Sequence, residues 1–387
     1  MTEPVKASLY AHVPFCAGAC DYCDFYSIPV NSDDKRLQAY TEKLLTDSKI
    51  MLEKFKVNEI PSLYIGGGTP SILGIKLIPS LVRGLCENHK SISEITIEVN
   101  PESIGRDLLL AMKESGVTRI SAGIQTFHEP SRTAVNRAGD SRLLFQRLGE
   151  IAEIFPGKFS ADLISGLPFQ SENVMRNDIE KLLSFKPAHI SLYALTVDPQ
   201  TPLGIRQAKS QANLPDKDEA DRLWLYGRNA LEKAGYAQYE VSNFCVPGKE
   251  SVHNLRYWRM ENWLGIGPAA SGTLINDEAG TGFRYTIPSD ADAWLESAQQ
   301  IFYEELDTVT LMKETFLMGF RTVFGPDEIL FRRRFKKSIE ETIPESIGKW
   351  RGRGLLHQEK NALTKQGLLL LDAFLIDVFS EMENLNM

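Results

Sequence analysis

The sequence predicts an α/β protein, a partial (β/α)6 barrel followed by a smaller helix-rich C-terminal domain. Three observations predict it. Short β-branched or aromatic runs alternate with longer segments of helical period over roughly the first two hundred residues. The distinctive polar and cysteine residues fall just after those runs. Beyond Pro199 the alternation loosens, and from about Glu304 the chain reads as helical. Such alternation implies a parallel sheet with crossover helices, although a partial barrel and an open sheet share the pattern.

Leu9–Val13 reads as the first strand and leads into a cysteine loop. Leu37, Tyr40, Leu44, Met51 and Phe55 then recur at helical spacing, with Ser32 or Asp33 as the expected N-cap. Five more strands follow at Leu63–Ile65, Ile95–Val99, Arg119–Ile124, Phe159–Leu163 and His189–Leu195. The helices between them are expected at Lys76–Glu87, Arg106–Ser115, Ser141–Ile154 and Val174–Phe185. A further helix at Asp216–Ala234 precedes a polar and aromatic stretch from Gln238 to Gly272. After a break at Gly325-Pro326, the chain finishes with a helix over Lys365–Phe379. The expected division is a core over 1–200, an extension over 201–300, and a winged-helix-like domain over 301–387.

A chain of 387 residues buries a sizeable core, and 43 % hydrophobic with 24 % charged residues is ordinary globular composition. No apolar run reaches the ~18–20 residues of a membrane span, and no secretory signal pattern opens the chain, so a cytoplasmic protein is expected. A net charge of −8 argues against nucleic acid as a partner. The basic run Arg332, Arg333, Arg334, Lys336 and Lys337 is expected to be a solvated helix face, with peripheral contact to an anionic membrane or partner as the weaker option.

The motif with the most chemistry is C-x3-C-x2-C, formed by Cys16, Cys20 and Cys23. Three thiolates can hold three irons of a [4Fe–4S] cluster and leave the fourth open, whereas ferredoxin patterns supply four cysteines. Structural zinc would need a fourth ligand, from His12, Cys86 or Cys245, and no second C-x2-C pair exists. Five cysteines is an odd number for a disulfide framework. Cys86 and Cys245 read as small core residues.

Gly66, Gly67 and Gly68, followed by Thr69, leave a strand end bare, so backbone groups can approach a polar ligand. Glu98, Gln125, Arg137 and Asp162 lie at or just beyond other strand ends, where ligands collect in such sheets. In the run from Ser251 to Trp258, His253 is flanked by Asn254, Tyr257 and Trp258. It suits a haem ligand with aromatic surroundings, or a buried hydrogen-bonded histidine in an aromatic corner.

The cysteine pattern, with Tyr22 before its last member, resembles the radical S-adenosylmethionine superfamily, and Gly66–Thr69 resembles its glycine-rich motif. Tyr10–Phe15, Gln125–Phe127, Asp162–Pro168, Ser191–Tyr193, Tyr239–Phe244 and His253–Trp258 are similar to the oxygen-independent coproporphyrinogen III oxidase-like family over nearly the whole chain. That resemblance implies a radical S-adenosylmethionine type barrel, a [4Fe–4S] cluster on Cys16, Cys20 and Cys23, and S-adenosylmethionine contacts from Tyr10, Glu98, Gln125, Arg137 and Asp162. The oxidase branch carries a further cysteine where this chain has Phe25. The haem-chaperone branch is marked by H-N-x-x-Y-W, which His253-Asn254-Leu255-Arg256-Tyr257-Trp258 matches. The resemblance therefore implies a haem chaperone with His253 as iron ligand and haemoproteins, respiratory ones among them, as acceptors. A homodimer is an open option. A radical enzyme acting on a porphyrin, by coproporphyrinogen III decarboxylation or haem methylation with ring opening, is the alternative. Three positions depart from the family pattern: Gly139 stands where it has His, Ser165 where it has Tyr, and Phe169 where it has Gly.

Overall fold

The computed structural model describes residues 5–89, 91–137, 139–297 and 300–384. Its frame is a twelve-stranded sheet. Six parallel strands carry the β–α repeats: β1 (Ser8–Val13), β2 (Ser62–Gly67), β3 (Glu94–Val99), β4 (Arg119–Gln125), β5 (Phe159–Ser165) and β6 (His189–Ala194). Six more follow: β7 (Ala237–Gln238), β8 (Asn243–Cys245), β9 (Trp263–Ile266), β10 (Ser271–Asn276), β11 (Thr281–Thr286) and β12 (Phe302–Leu306). The spatial order is β7-β8-β6-β5-β4-β3-β2-β1-β9-β10-β11-β12, so the sheet remains open, with β7 and β12 at its edges.

All six expected parallel strands are present, and the crossover helices lie close to their expected bounds. They are α1 (Arg36–Lys54), α2 (Gly74–Leu85), α3 (Arg106–Glu114), α4 (Ser141–Ile154) and α5 (Glu172–Leu183). One detail differs. Lys35 is the N-cap of α1 in place of Ser32 or Asp33, because the Asp34 carboxylate accepts from the Arg36 amide (2.9 Å) and its guanidinium. The parallel strands are largely buried on both faces: Ala11, Leu63, Ile97 and Ile120 on one, Ser62, Thr96 and Ser160 on the other. The helices pack on one of those faces.

The second half holds what the periodicity missed. After α6 (Lys217–Lys233), a short helix α7 (Val252–Trp258) carries the histidine motif. Strand β9 then returns to pair in parallel with β1, Trp263 opposite Ser8 and Ile266 opposite Ala11. An antiparallel meander, β10 to β12, continues the sheet outward. Its last strand leaves Phe302 and Tyr303 exposed. A second apolar cluster, centred on Phe316, Phe320, Phe331, Trp350 and Phe374, lies under α8 (Thr308–Gly319), α9 (Glu328–Phe335), α10 (Pro344–Gly352) and α11 (Leu371–Asn384). The expected continuous helix over Lys365–Phe379 is divided into Lys365–Leu368 and α11.

The basic run is not simply a solvated face. Arg334 is buried, pairs with Asp277 at 2.6 Å and donates to the Met260 carbonyl, while Arg333 also meets Asp277 and Arg332 meets Glu328. These arginines fasten α9 to the β10–β11 turn and to α7's end. Cys245 is buried and Cys86 packs against the main core, as small core residues do.

Candidate functional site

Two cavities open on the inner side of the sheet. The first, of about 450 Å³, is lined by Cys16, Cys20, Tyr22 and Cys23 from the loop after β1, and by Gly67, Gly68 and Thr69 after β2. Glu98, Gln125, Arg137, Asp162 and Tyr193 complete its wall. The strand-end residues singled out from sequence therefore converge, apart from Gly66 and Tyr10. Gly66 sits behind Glu98: a side chain there would stand 2.9 Å from that carboxyl. Tyr10 lines the neighbouring cavity.

The cysteine loop is held at both ends. Its backbone closes through the Cys23 amide on the Cys20 carbonyl (3.0 Å), and Cys16 Sγ lies 3.1 Å from Thr69 Oγ1. Arg137 places Nη1 3.6 Å from Cys20 Sγ and Nη2 3.0 Å from Asn100 Oδ1. The thiols are free, and burial pushes Cys23 up. Among the described residues no set of His, Cys, Asp and Glu is gathered as a ready metal site. The thiols line a shared hollow instead. His12 is not among its lining residues, so it stands apart from the cysteines it was weighed with as a zinc ligand.

Two glycines let the backbone pass close to its neighbours at the rim of that hollow. Gly68 passes so close to the β1 end that a Cβ would lie 2.6 Å from the Pro14 carbonyl oxygen. Gly67 has φ +122°, and a Cβ there would strike the His12 ring at 2.7 Å. Gln125, too, holds a left-handed φ of +68°, a strained conformation of the kind stored at functional sites. Its Oε1 and Arg137 Nε are buried without a hydrogen-bond partner, as expected of polar groups waiting for a ligand.

The cavity is also poised for a cation. Glu98 is pushed up to about 7 by burial, against hydrogen bonds from Tyr64 Oη (2.7 Å) and the Gly67 amide (3.0 Å). Asp162 is pushed up to about 6 by burial. Burial favours protonation of both carboxyls, at Asp162 despite the Arg119 and Arg137 guanidinium groups, and a positive ligand would reverse that.

The second cavity, of about 550 Å³, shares Asp24, Phe25, Gly67 and Glu98 with the first. Its own wall is aromatic: Tyr10, His12, Tyr26, Tyr64, His253, Tyr257 and Trp263. His253 is 1 % exposed. Ser62 Oγ is 2.9 Å from its Nδ1 and Tyr257 Oη is 3.0 Å from its Nε2. The Tyr64 ring lies 5.1 Å from it, centroid to centroid. The α7 amino end is fixed by buried Glu94, which accepts from the His253 amide (3.0 Å) and the Val252 amide (3.2 Å). Burial pushes His253 down to about 3 and His12 down to about 4, so both imidazoles are neutral.

Sequence reasoning expected Tyr257 beside His253, missed Tyr26, Tyr64 and Trp263 as wall residues, and weighed His12 only as a zinc ligand. A signal existed. Tyr10 and His12 are two apart on β1, and Tyr64 is two before Gly66 on β2, so strand alternation puts them on one face.

The departures from the family pattern have local accounts. At Gly139, with φ +78°, a Cβ would lie 2.2 Å from the Glu102 side chain, which pairs with Arg132. The space of the missing histidine is thus taken by Glu102. Phe169 has φ +60°, the backbone that makes glycine the usual residue. Ser165 is buried with an unpartnered hydroxyl.

An open-sheet α/β core with three loop cysteines at its carboxyl edge defines a radical S-adenosylmethionine protein, and the Radical SAM superfamily pattern matches residues 10–182. The heme chaperone HemW of Lactococcus lactis is 31 % identical over 381 residues, covering 96 % of this chain and 97 % of that protein. The heme chaperone HemW of Bacillus subtilis is 30 % identical over 373 residues, covering 94 % and 96 %. The chain belongs to the HemW family. Its fold is also that of coproporphyrinogen III oxidase (HemN) from Escherichia coli, with a TM-score of 0.81 at 22 % identity, covering 97 % of this chain and 90 % of that one.

Proposed function

We propose that this protein binds haem in the aromatic cavity and hands it to acceptor haemoproteins, with a [4Fe–4S] cluster and S-adenosylmethionine in the adjoining cavity. One observation carries the reading: the thiol-lined hollow and the histidine-lined hollow share a wall at Glu98 and Gly67. Cys16, Cys20 and Cys23 would hold the cluster. Glu98 and Asp162 would face the sulfonium, Gly67, Gly68 and Thr69 the amino-acid end, and Gln125, Arg137 and Tyr22 the remaining polar groups, with Gly66 behind Glu98. A cluster with one open iron supplies an electron to the molecule it binds. Tyr10 falls to the haem side.

His253 is the proposed iron ligand, and its neutral imidazole suits that role. In this structure Tyr257 occupies its Nε2, so the iron would take the place of that hydroxyl. The 1–200, 201–300 and 301–387 division is proposed as cluster core, histidine-bearing extension and small winged-helix-like domain. No helix among the described residues is long and apolar enough to cross a membrane; a cytoplasmic location with at most peripheral membrane contact is part of the proposal. The HemW relatives support haem as cargo through their names.

Titrating ferric haem into the parent protein and into His253→Ala tests the assignment. The variant is expected to bind on the order of tenfold more weakly, and equal binding would remove His253 from the role. A second reading, a radical enzyme acting on a porphyrin, draws on the completeness of the first cavity. Anaerobic incubation with coproporphyrinogen III, S-adenosylmethionine and a reductant decides it: conversion to protoporphyrinogen IX would establish the enzyme.

A further inference from the structure

The haem cavity contains two imidazoles, at different depths. His253 touches Ser62, the first residue of β2, and the ring of Tyr64. His12 is the register partner of Gly66, further along the same strand pair. Two to four residues of strand separate those levels, roughly 7–13 Å at about 3.3 Å per residue. One iron atom held at His253 is therefore not at His12, and the reverse.

The hydrogen bonds around the two rings differ in a way that bears on iron. Arg256 Nε donates to Ser8 Oγ (2.7 Å), Ser8 Oγ is 2.8 Å from Ser62 Oγ, and Ser62 Oγ is 2.9 Å from His253 Nδ1. An arginine only donates, so the arrangement that uses every hydroxyl proton runs in one direction, from Arg256 to Nδ1. Nε2 then carries the His253 proton and donates to Tyr257, so iron at that Nε2 would require the proton to move to Nδ1 and the Ser62 hydroxyl to turn and accept it. His12 has no such chain behind it. Its Nδ1 is 2.9 Å from Tyr10 Oη, a hydroxyl that can turn to donate or accept, and its Nε2 is only 3.4 Å from the Tyr26 carbonyl oxygen, a marginal bond. A ring with one nitrogen anchored by a neighbour and the other loosely held is the usual arrangement of a metal-ligating histidine.

Resting on the reading that this cavity takes haem, we propose that His12 is a second seat for the haem iron, nearer the cluster cavity than His253. Taking the iron at Nε2 moves that proton to Nδ1, with the Tyr10 hydroxyl turning to accept it. The Tyr26 carbonyl loses only its long contact. Haem would then occupy an inner seat at His253 and an outer seat at His12, against the wall formed by Gly67 and Glu98.

The test is a ferric haem titration of the full chain and of His12→Ala, His253→Ala and the double variant, read by the Soret band and by electron paramagnetic resonance. Each single variant is expected to keep imidazole-ligated haem with affinity lowered on the order of tenfold, and the double variant to lose the imidazole signature. His12→Gln, which keeps a polar side chain beside Tyr10, guards against a folding artefact and is expected to match His12→Ala. If His253→Ala alone abolishes imidazole ligation, or His12→Ala is indistinguishable from the parent, the outer seat is wrong while the haem reading stands. If the parent binds no haem, both fall.

Discussion

At the scale of single residues, the cation-seeking cavity gives a pH dependence with a definite sign. Glu98 and Asp162 have folded pKa values raised above their unfolded ones, to about 7 and about 6. The stability they contribute is present below pH ~4 and is lost as pH rises through 6–7. Binding of a cation runs the other way, because the ionised carboxylates attract it. S-adenosylmethionine affinity, measured by calorimetry on the anaerobically reconstituted protein, is expected to rise between pH 6 and 7.5, with much of the rise lost in Glu98→Gln. Phe169 offers a simpler test. A left-handed backbone costs a non-glycine residue roughly 1–2 kcal/mol, and Phe169 is half exposed, so little packing is at stake. Phe169→Gly is expected to raise the melting temperature by about 2 °C, read by calorimetry.

At the scale of elements, α7 is seven residues long and cannot hold itself in place by propensity alone. Buried Glu94 binds its first amides, and Arg119 stands 3.8 Å from the same carboxylate. Glu94→Gln is expected to cost about 1–2 kcal/mol, the scale of a lost N-terminal cap, and to weaken haem binding. Iron and sulfide content should stay at the parent level, since the cysteine loop lies at the other end of the strands. A parallel loss of iron would show that the helix and the loop are not separable.

The same elements show what was legible in the chain. Strands β1 to β6 and helix α4 are read directly, because the strands are short runs rich in β-branched, aromatic and other apolar residues and their crossovers keep a helical period. The first cavity was legible for a related reason: its residues lie at strand ends or in the loops that follow them. The second was not, because His253 meets Ser62 and Tyr64 across about 190 residues of chain, and no local pattern records that meeting. The β9–β12 meander escaped because its strands are short and only partly alternating. Trp263–Ile266 is buried throughout, and Phe302–Glu305 is exposed throughout.

At the scale of the whole molecule, the shared wall makes the two cavities a linked pair. An occupant of one contacts Gly67 and Glu98, which the other also uses. Whatever factor bound S-adenosylmethionine applies to haem affinity, haem must apply in return. Equilibrium dialysis of each ligand with and without the other is expected to give matching factors different from one.

The position of β9 has a consequence in time. Strand β1 is made first, yet its second neighbour, beginning at Trp263 opposite Ser8, comes 255 residues later. At about 5–20 residues per second, the ribosome takes roughly 13–50 s to supply it. Throughout that interval β1 presents an unpaired edge in the nascent chain, a template for the wrong partner. Chains truncated just before Trp263 are expected to pellet in a sedimentation assay, and chains extended past Ile266 to remain in the supernatant. On this schedule the aromatic cavity is completed only once β9 and the residues up to Ser271 have been made, and its completion coincides with the covering of the β1 edge.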